Sequence, residues 1–256
     1  MPKYTDIIRR EPKIHLESLR DDLKSRKNKD FFWPCGTQVY CGRQGSGKTI
    51  SAVKHALDLK QIYPKMIIVS NIQLKYYDSL EFDTIEDIKN ILSYIDSNTQ
   101  YILFKSMEQL TIALTQVNNS FYGVTYLIDE IHTYFNALES KNIPMYVFTE
   151  ISQQRKQRKL IIGTSQLFLR MAKPFREQCD SLIICNTTFG VFTSQKAYDG
   201  MTLEQDFDGS LSGTIKKKGF FFHKRFIRNS FDTYQKVISG AEQYAQLERP
   251  TQIAKR

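Results

Sequence analysis

Apolar residues gather in short unbroken runs at Gln38–Cys41, Met66–Ser70, Gln100–Phe104, Thr125–Ile128, Leu160–Thr164 and Ser181–Cys185, rather than alternating with polar ones. A run without a polar face suits a strand buried on both sides, the condition of a largely parallel sheet covered by helices. Between the runs, Ser51–Lys60, Ile85–Ile95, Met107–Val117 and Met145–Arg158 carry helical periodicity. This order predicts an α/β core over residues 31–197. Residues 1–30 are polar and charged, with one short amphipathic pattern (Leu16, Leu19, Leu23), and read as a basic N-terminal arm. Residues 198–256 read as a basic, hairpin-rich C-terminal extension packed on or beside the core, beginning with a turn-rich loop over 198–214.

The first apolar run is followed by Gly42-Arg43-Gln44-Gly45-Ser46-Gly47-Lys48-Thr49, a complete G-x-x-x-x-G-K-[ST] phosphate loop. Glycines let the backbone wrap a phosphate with its N–H groups pointing inward, and the next helix offers the positive end of its dipole. In that pattern Lys48 reaches the β- and γ-phosphates and Thr49 places its hydroxyl on Mg²⁺. A nucleoside triphosphate site also needs a metal carboxylate and a group that activates water. The run Val124–Ile128 ends in Asp129-Glu130, so Asp129 is the candidate for the Mg²⁺ shell and Glu130 for orienting or polarising water. The run Leu160–Thr164 continues through Ser165 to Gln166, an amide at the same carboxyl edge, placed to sense a γ-phosphate.

Charge and composition narrow the partners. A net charge of +9 and a hydrophobic content of 41% fit a globular chain with a polyanionic partner. The excess clusters: Arg20 to Lys29 in the arm, Arg155, Lys156, Arg158 and Lys159 in the core, and Lys216, Lys217, Lys218, Lys224, Arg225 and Arg228 in the extension. The last six are the candidate DNA contacts. Two readings fit their interleaving with aromatics: a segment that tracks backbone and stacks bases, or an edge hairpin with Phe220 and Phe222 packed inward. The cysteines form two C-x5-C pairs without zinc spacing, and Cys41 and Cys185 read as reduced core thiols. No apolar stretch approaches a bilayer-spanning length and no signal peptide opens the chain, so a cytoplasmic setting is expected.

Together the phosphate loop, Asn71 after the second run, Asp129-Glu130-Ile131-His132, the arginines before the fifth run and the strand ending at Gln166 resemble the FtsK–HerA superfamily of DNA-pumping ATPases. Within it the similarity is to Zot-like phage proteins related to the filamentous-phage assembly ATPase, over Gly36 to Cys185. The resemblance implies a RecA-like core, ATP as the nucleotide, a homo-oligomeric ring and an arginine inserted into a neighbour's site, for which Arg155, Arg158 and Arg176 are the candidates. Zot-like assembly ATPases usually continue into a membrane span, which this sequence lacks. That departure favours an ATP-driven DNA translocase such as a viral genome packaging motor, working with a capsid or portal component. The alternative is a nucleotide-gated morphogenesis factor that does not itself translocate DNA. A small-molecule kinase is the weakest fit, because Glu130 and a strand-terminal Gln suit attack by water.

Overall fold

In the computed structural model the described residues are 30–205 and 211–231. The N-terminal arm and the last part of the C-terminal extension lie outside them. Nine strands make one sheet: β1 (Gly36–Cys41), β2 (Ile67–Ser70), β3 (Asp78–Glu81), β4 (Gln100–Leu103), β5 (Val124–Ile128), β6 (Lys159–Ser165), β7 (Ser181–Thr188), β8 (Phe192–Asp199) and, after the two-residue ladder of β9 (Glu204–Gln205) with β10 (Leu211–Ser212), β11 (Ile215–Phe222). Their order is β11-β8-β7-β1-β6-β5-β2-β4-β3. Every pair from β7 to β3 is parallel, and β8 and β11 extend the sheet antiparallel beyond β7.

The unbroken apolar runs divide between two cores, one on each face. Val39, Ile67, Val69, Tyr126, Ile128 and Ile161 point to one side. Their chain neighbours Tyr40, Ile68, Leu127, Leu160 and Ile162 point to the other, as the two-residue period of a strand requires. Helix α1 (Lys48–Ile62) covers the second face with Ile50, Val53, Ala56 and Leu57. The first face is covered by α2 (Ile85–Tyr94), α3 (Met107–Gln116) and α4 (Met145–Ser152), through Ile88, Ile91, Leu110, Leu114, Val147 and Phe148. Thr84 and Ser106 start α2 and α3 with reciprocal capping boxes to Asp87 and Gln109.

Three sequence expectations need correction. The segment Met145–Arg158 is not one helix: it turns at Gln153 between α4 and α5 (Gln154–Gln157). The turn buries Gln154, whose Nε2 donates to Thr37 Oγ1 at 2.8 Å, and Arg158 closes α5 in the left-handed region. The loop expected over 198–214 holds the end of β8, a short 3-10 turn at Gly200–Thr202 and the β9/β10 ladder. The aromatic segment is not a hairpin within itself. Residues 215–222 form the edge strand β11 paired to β8, and Arg225–Asn229 form the short helix α7. Its register sends Phe221 toward α1, where Lys54 Nζ sits 5.6 Å from the ring centre, so Phe220 and Phe222 face outward instead of packing inward.

Candidate nucleotide site

Strand order explains why distant sequence motifs meet. Four adjacent strands, β1, β6, β5 and β2, run parallel, and each ends on the same edge with a polar group: the phosphate loop, Thr164 to Gln166, Asp129-Glu130, and Asn71. Neighbouring strands lie about 4.8 Å apart, so these ends fall within roughly 15 Å of one another. This is the carboxyl edge at which open α/β sheets hold ligands.

The loop itself has the backbone that a phosphate needs. Gly42, Gly45 and Gly47 have φ of 151°, 76° and 84°, a region side chains rarely adopt. A Cβ on Gly47 would also lie 2.3 Å from Thr187 Oγ1 and 2.6 Å from Thr193 Oγ1, so the loop is pressed against the β7 and β8 ends. Lys48 is 7% exposed and its Nζ donates to the Arg43 carbonyl at 3.2 Å, arching over the loop. Arg43 and Gln44 are exposed at the tip. Among the described residues the buried Ser46 hydroxyl has no hydrogen-bond partner, a group suited to a phosphate oxygen.

Across from Lys48, one carboxylate oxygen gathers two hydroxyls. Thr49 Oγ1 donates to Asp129 Oδ1 at 2.9 Å and Thr164 Oγ1 donates to the same atom at 2.6 Å. The Asp129 peptide is held from the other side by Asn71: its Oδ1 accepts from Asp129 N–H at 2.8 Å, and its Nδ2 donates to the Asp129 carbonyl at 3.0 Å. Hydroxyl and carboxylate oxygens are the donor set of a hard cation such as Mg²⁺, which takes few protein ligands beside substrate phosphates. Thr49 and Asp129 therefore fit the metal role read from the sequence.

Glu130 follows in the left-handed region at φ 48°, a conformation that costs a non-glycine residue about 1 kcal/mol or more. Two contacts hold it. Its N–H donates to Thr164 Oγ1 at 2.9 Å, and its carbonyl accepts from Thr133 N–H at 2.8 Å. A close approach supports the turn, because Ile131 packs where a side chain on Gly163 would be, 2.7 Å from an added Cβ. Burial raises the Glu130 carboxyl above the ordinary glutamate value, and the neighbouring Asp129 adds to the shift, against smaller opposing effects of Lys48 and of a hydrogen bond from Gln166. His132 Nδ1 lies 3.2 Å from Glu130 Oε2, but that oxygen completes no hydrogen bond. Burial and the charges of Arg170 and Lys48 lower the His132 pKa, so the pair is better described as a neutral ring beside the acid than as an ion pair.

The arginines read from the sequence lie elsewhere. Arg155 is exposed on α5, and Arg158 sits at the amino end of β6, the edge opposite the phosphate loop. The Arg158 guanidinium lies 3.6 Å from the centre of the Phe31 ring and donates to the Phe32 carbonyl at 3.2 Å. Arg158→Ala is therefore expected to lower stability by about 1–2 kcal/mol, read as a lower denaturant midpoint; an unchanged midpoint would show that the contact contributes nothing. Arg176, at the end of α6 (Lys173–Arg176), lies 5.7 Å from the Phe168 ring centre. Arg170, which motif reading passed over, is the arginine whose charge reaches Glu130 and His132. Its only sequence signal is its place shortly after Gln166, and the 3-10 turn Phe168–Arg170 brings it back toward the site.

The six candidate DNA contacts separate in space. Lys216 pairs with Asp199 at 3.1 Å and donates to the Asp180 carbonyl, and Arg228 donates to the Gly190 carbonyl. Lys217, Lys218, Lys224 and Arg225 are exposed. The β7–β8 side holds further residues the sequence did not single out: Thr193, pressed on Gly47, shares hydrogen bonds of 2.6 Å with Thr187 and with His223. Only the strand register could have revealed them. The four cysteines are free, with Cys41, Cys179 and Cys185 buried.

No family model and no curated protein matches the sequence. Among solved structures the fold is similar to the N-terminal domain of zonular occludens toxin from Neisseria meningitidis, at 11% identity and TM-score 0.50, over 77% of this chain and 98% of that one. A genome packaging NTPase, B204 from Sulfolobus turreted icosahedral virus 2 in complex with ATP-gammaS, aligns at 14% identity and TM-score 0.49, over 74% and 98%. The flagellar accessory protein FlaH from Methanocaldococcus jannaschii aligns at 14% identity and TM-score 0.36, over 64% and 77%. At such identities the likeness is one of fold alone: the chain shares the mostly parallel α/β architecture of the zonular occludens toxin N-terminal domain.

Proposed function

We propose that the chain is a Mg²⁺-dependent ATP hydrolase that works in a homo-oligomeric ring to move DNA, as in viral genome packaging in the host cytoplasm. The observation that carries the hydrolase reading is the meeting of Thr49, Thr164 and Asp129 on one oxygen, directly before a half-buried Glu130. Thr49 and Asp129 are the residues that would hold Mg²⁺, which when bound neutralises charge on the phosphate oxygens. Lys48 and the loop N–H groups bind the phosphates. Glu130 orients the attacking water and takes its proton. Gln166, beside that carboxylate, favours its charged form. Arg170 supports charge at the site from the same chain, while Arg155 and Arg176 are the arginines to test for action on a neighbouring subunit, with a capsid or portal component as a further partner.

Movement of DNA is supported by the net charge of +9 and by the resemblance of the motifs. Among the described residues no helix is long and apolar enough to cross a membrane. The deciding measurement is ATP turnover with and without single-stranded and duplex DNA, paired with binding over a salt series. Turnover is expected to rise with DNA, and log affinity to fall with log salt at about −0.9 per duplex phosphate neutralised. Turnover indifferent to both forms, without salt-dependent binding, would favour the nucleotide-gated morphogenesis factor over the motor.

A further inference from the structure

The antiparallel end of the sheet has one covered face and one open face. Thr193 and Phe221 point toward α1, whereas Phe192, Phe220 and Phe222 share the opposite face, as their cross-strand pairings Phe192↔Phe222 and Ser194↔Phe220 require. The three rings form a cluster, with centroids 5.5 Å apart for Phe192–Phe220 and 5.2 Å for Phe192–Phe222. Yet Phe220 is 69% and Phe222 65% exposed. Lys196 and Lys218, directly opposed in the next register position, flank the rings on this face. Neither makes an ion pair among the described residues. The adjoining β7 positions on this face are Asn186 and Thr188, and none of the β7, β8 or β11 positions paired across it is acidic.

We propose that this face is a stacking platform for single-stranded DNA, an inference that rests on the DNA-moving reading and names the form of DNA engaged. Flat exposed rings beside unpaired ammonium groups match a ligand that is itself flat-ringed and polyanionic. A duplex hides its bases from such rings, so it offers them nothing to stack on. A second protein surface would gain from the rings but would have to leave two lysines unmatched or supply acids for them. The platform also adjoins the nucleotide site: Thr193, next to Phe192, presses on Gly47, and His223, next to Phe222, bonds Thr193.

The test uses the full chain, a fluorescent single-stranded oligodeoxynucleotide, the same backbone carrying abasic sites, and a blunt duplex, followed by anisotropy. The wild type is expected to prefer the base-bearing strand over the abasic one. Phe220→Ala with Phe222→Ala is expected to weaken single-strand binding by about tenfold or more while keeping its salt slope, and to remove the preference over the abasic strand. Lys196→Ala with Lys218→Ala is expected to flatten the slope instead. The platform is overturned if the aromatic variant binds the single strand as wild type does, or loses duplex and single-strand affinity equally. It is also overturned if the variant loses only fluorescent ATP-analogue binding, or changes only the oligomer mass. Wild type that binds duplex but not single strands would sink the platform and leave the motor reading standing; no binding to either form would sink both.

Discussion

Lys48→Ala is expected to remove ATP hydrolysis almost completely, by about 10²–10³-fold or more, and to weaken nucleotide binding as well. The reason is its setting. Lys48 is almost fully buried at the first turn of α1, its ammonium held to the Arg43 carbonyl across the loop. Exposed lysines elsewhere on the chain are screened by water, but this one acts beside loop N–H groups and the helix dipole, where a phosphate is bound by several donors at once. The loop backbone does not depend on the side chain, because its turns are made by Gly42, Gly45 and Gly47. The variant should therefore melt near the wild-type temperature while phosphate release disappears. Titration with a fluorescent ATP analogue and a release assay check both halves. Hydrolysis that survives in Lys48→Ala would remove the phosphate loop from the reaction, whatever its spelling.

The same setting shows which parts of the site were legible in the sequence. The phosphate loop is local: eight consecutive residues carry its backbone demands, so its spelling is sufficient. Asp129-Glu130 and Gln166 were legible because buried parallel strands announce themselves as unbroken apolar runs, and a polar group just past each run must lie at the carboxyl edge. Thr164 is different. It ties Asp129 and the Glu130 backbone together through one hydroxyl, but in sequence it is one more polar residue at a strand exit. Its role depends on β6 lying between β1 and β5, a matter of strand order that no local pattern encodes.

The outer strands were harder to read for another physical reason. β3 is Asp78-Ser-Leu-Glu81, mostly exposed at the sheet edge, and carries no apolar signal. An edge strand is held by backbone hydrogen bonds on one side and is blunted by charge on the other, so polar spelling is what such a position favours. β11 gave a signal that the wrong parity would satisfy equally well. Three consecutive phenylalanines leave open which face turns in, and the pairing Phe221↔Thr193 decides it. The consequence is chemical, since the two aromatic rings that one of the two sequence readings packed inward are on the surface.

Glu130→Gln is expected to separate binding from chemistry. The substitution keeps the volume of the side chain and leaves untouched the backbone contacts that hold residue 130 in the left-handed region, Thr164 to its N–H and Thr133 to its carbonyl. Asp129, with its Thr49 and Thr164 hydroxyls, also keeps its place. ATP affinity should thus stay near wild type. Turnover should fall by about 10²–10⁴-fold, because an amide can orient water but cannot take its proton. Gln166→Ala leaves the carboxylate and removes the amide beside it, so its loss should be smaller and appear in kcat with KM nearly unchanged. The ordering decides between roles. If Gln166→Ala is as damaged as Glu130→Gln, the amide touches the reacting phosphate rather than positioning the base. If Glu130→Gln hydrolyses ATP at the wild-type rate, the base lies elsewhere and the burial of Glu130 serves only the turn that carries Asp129.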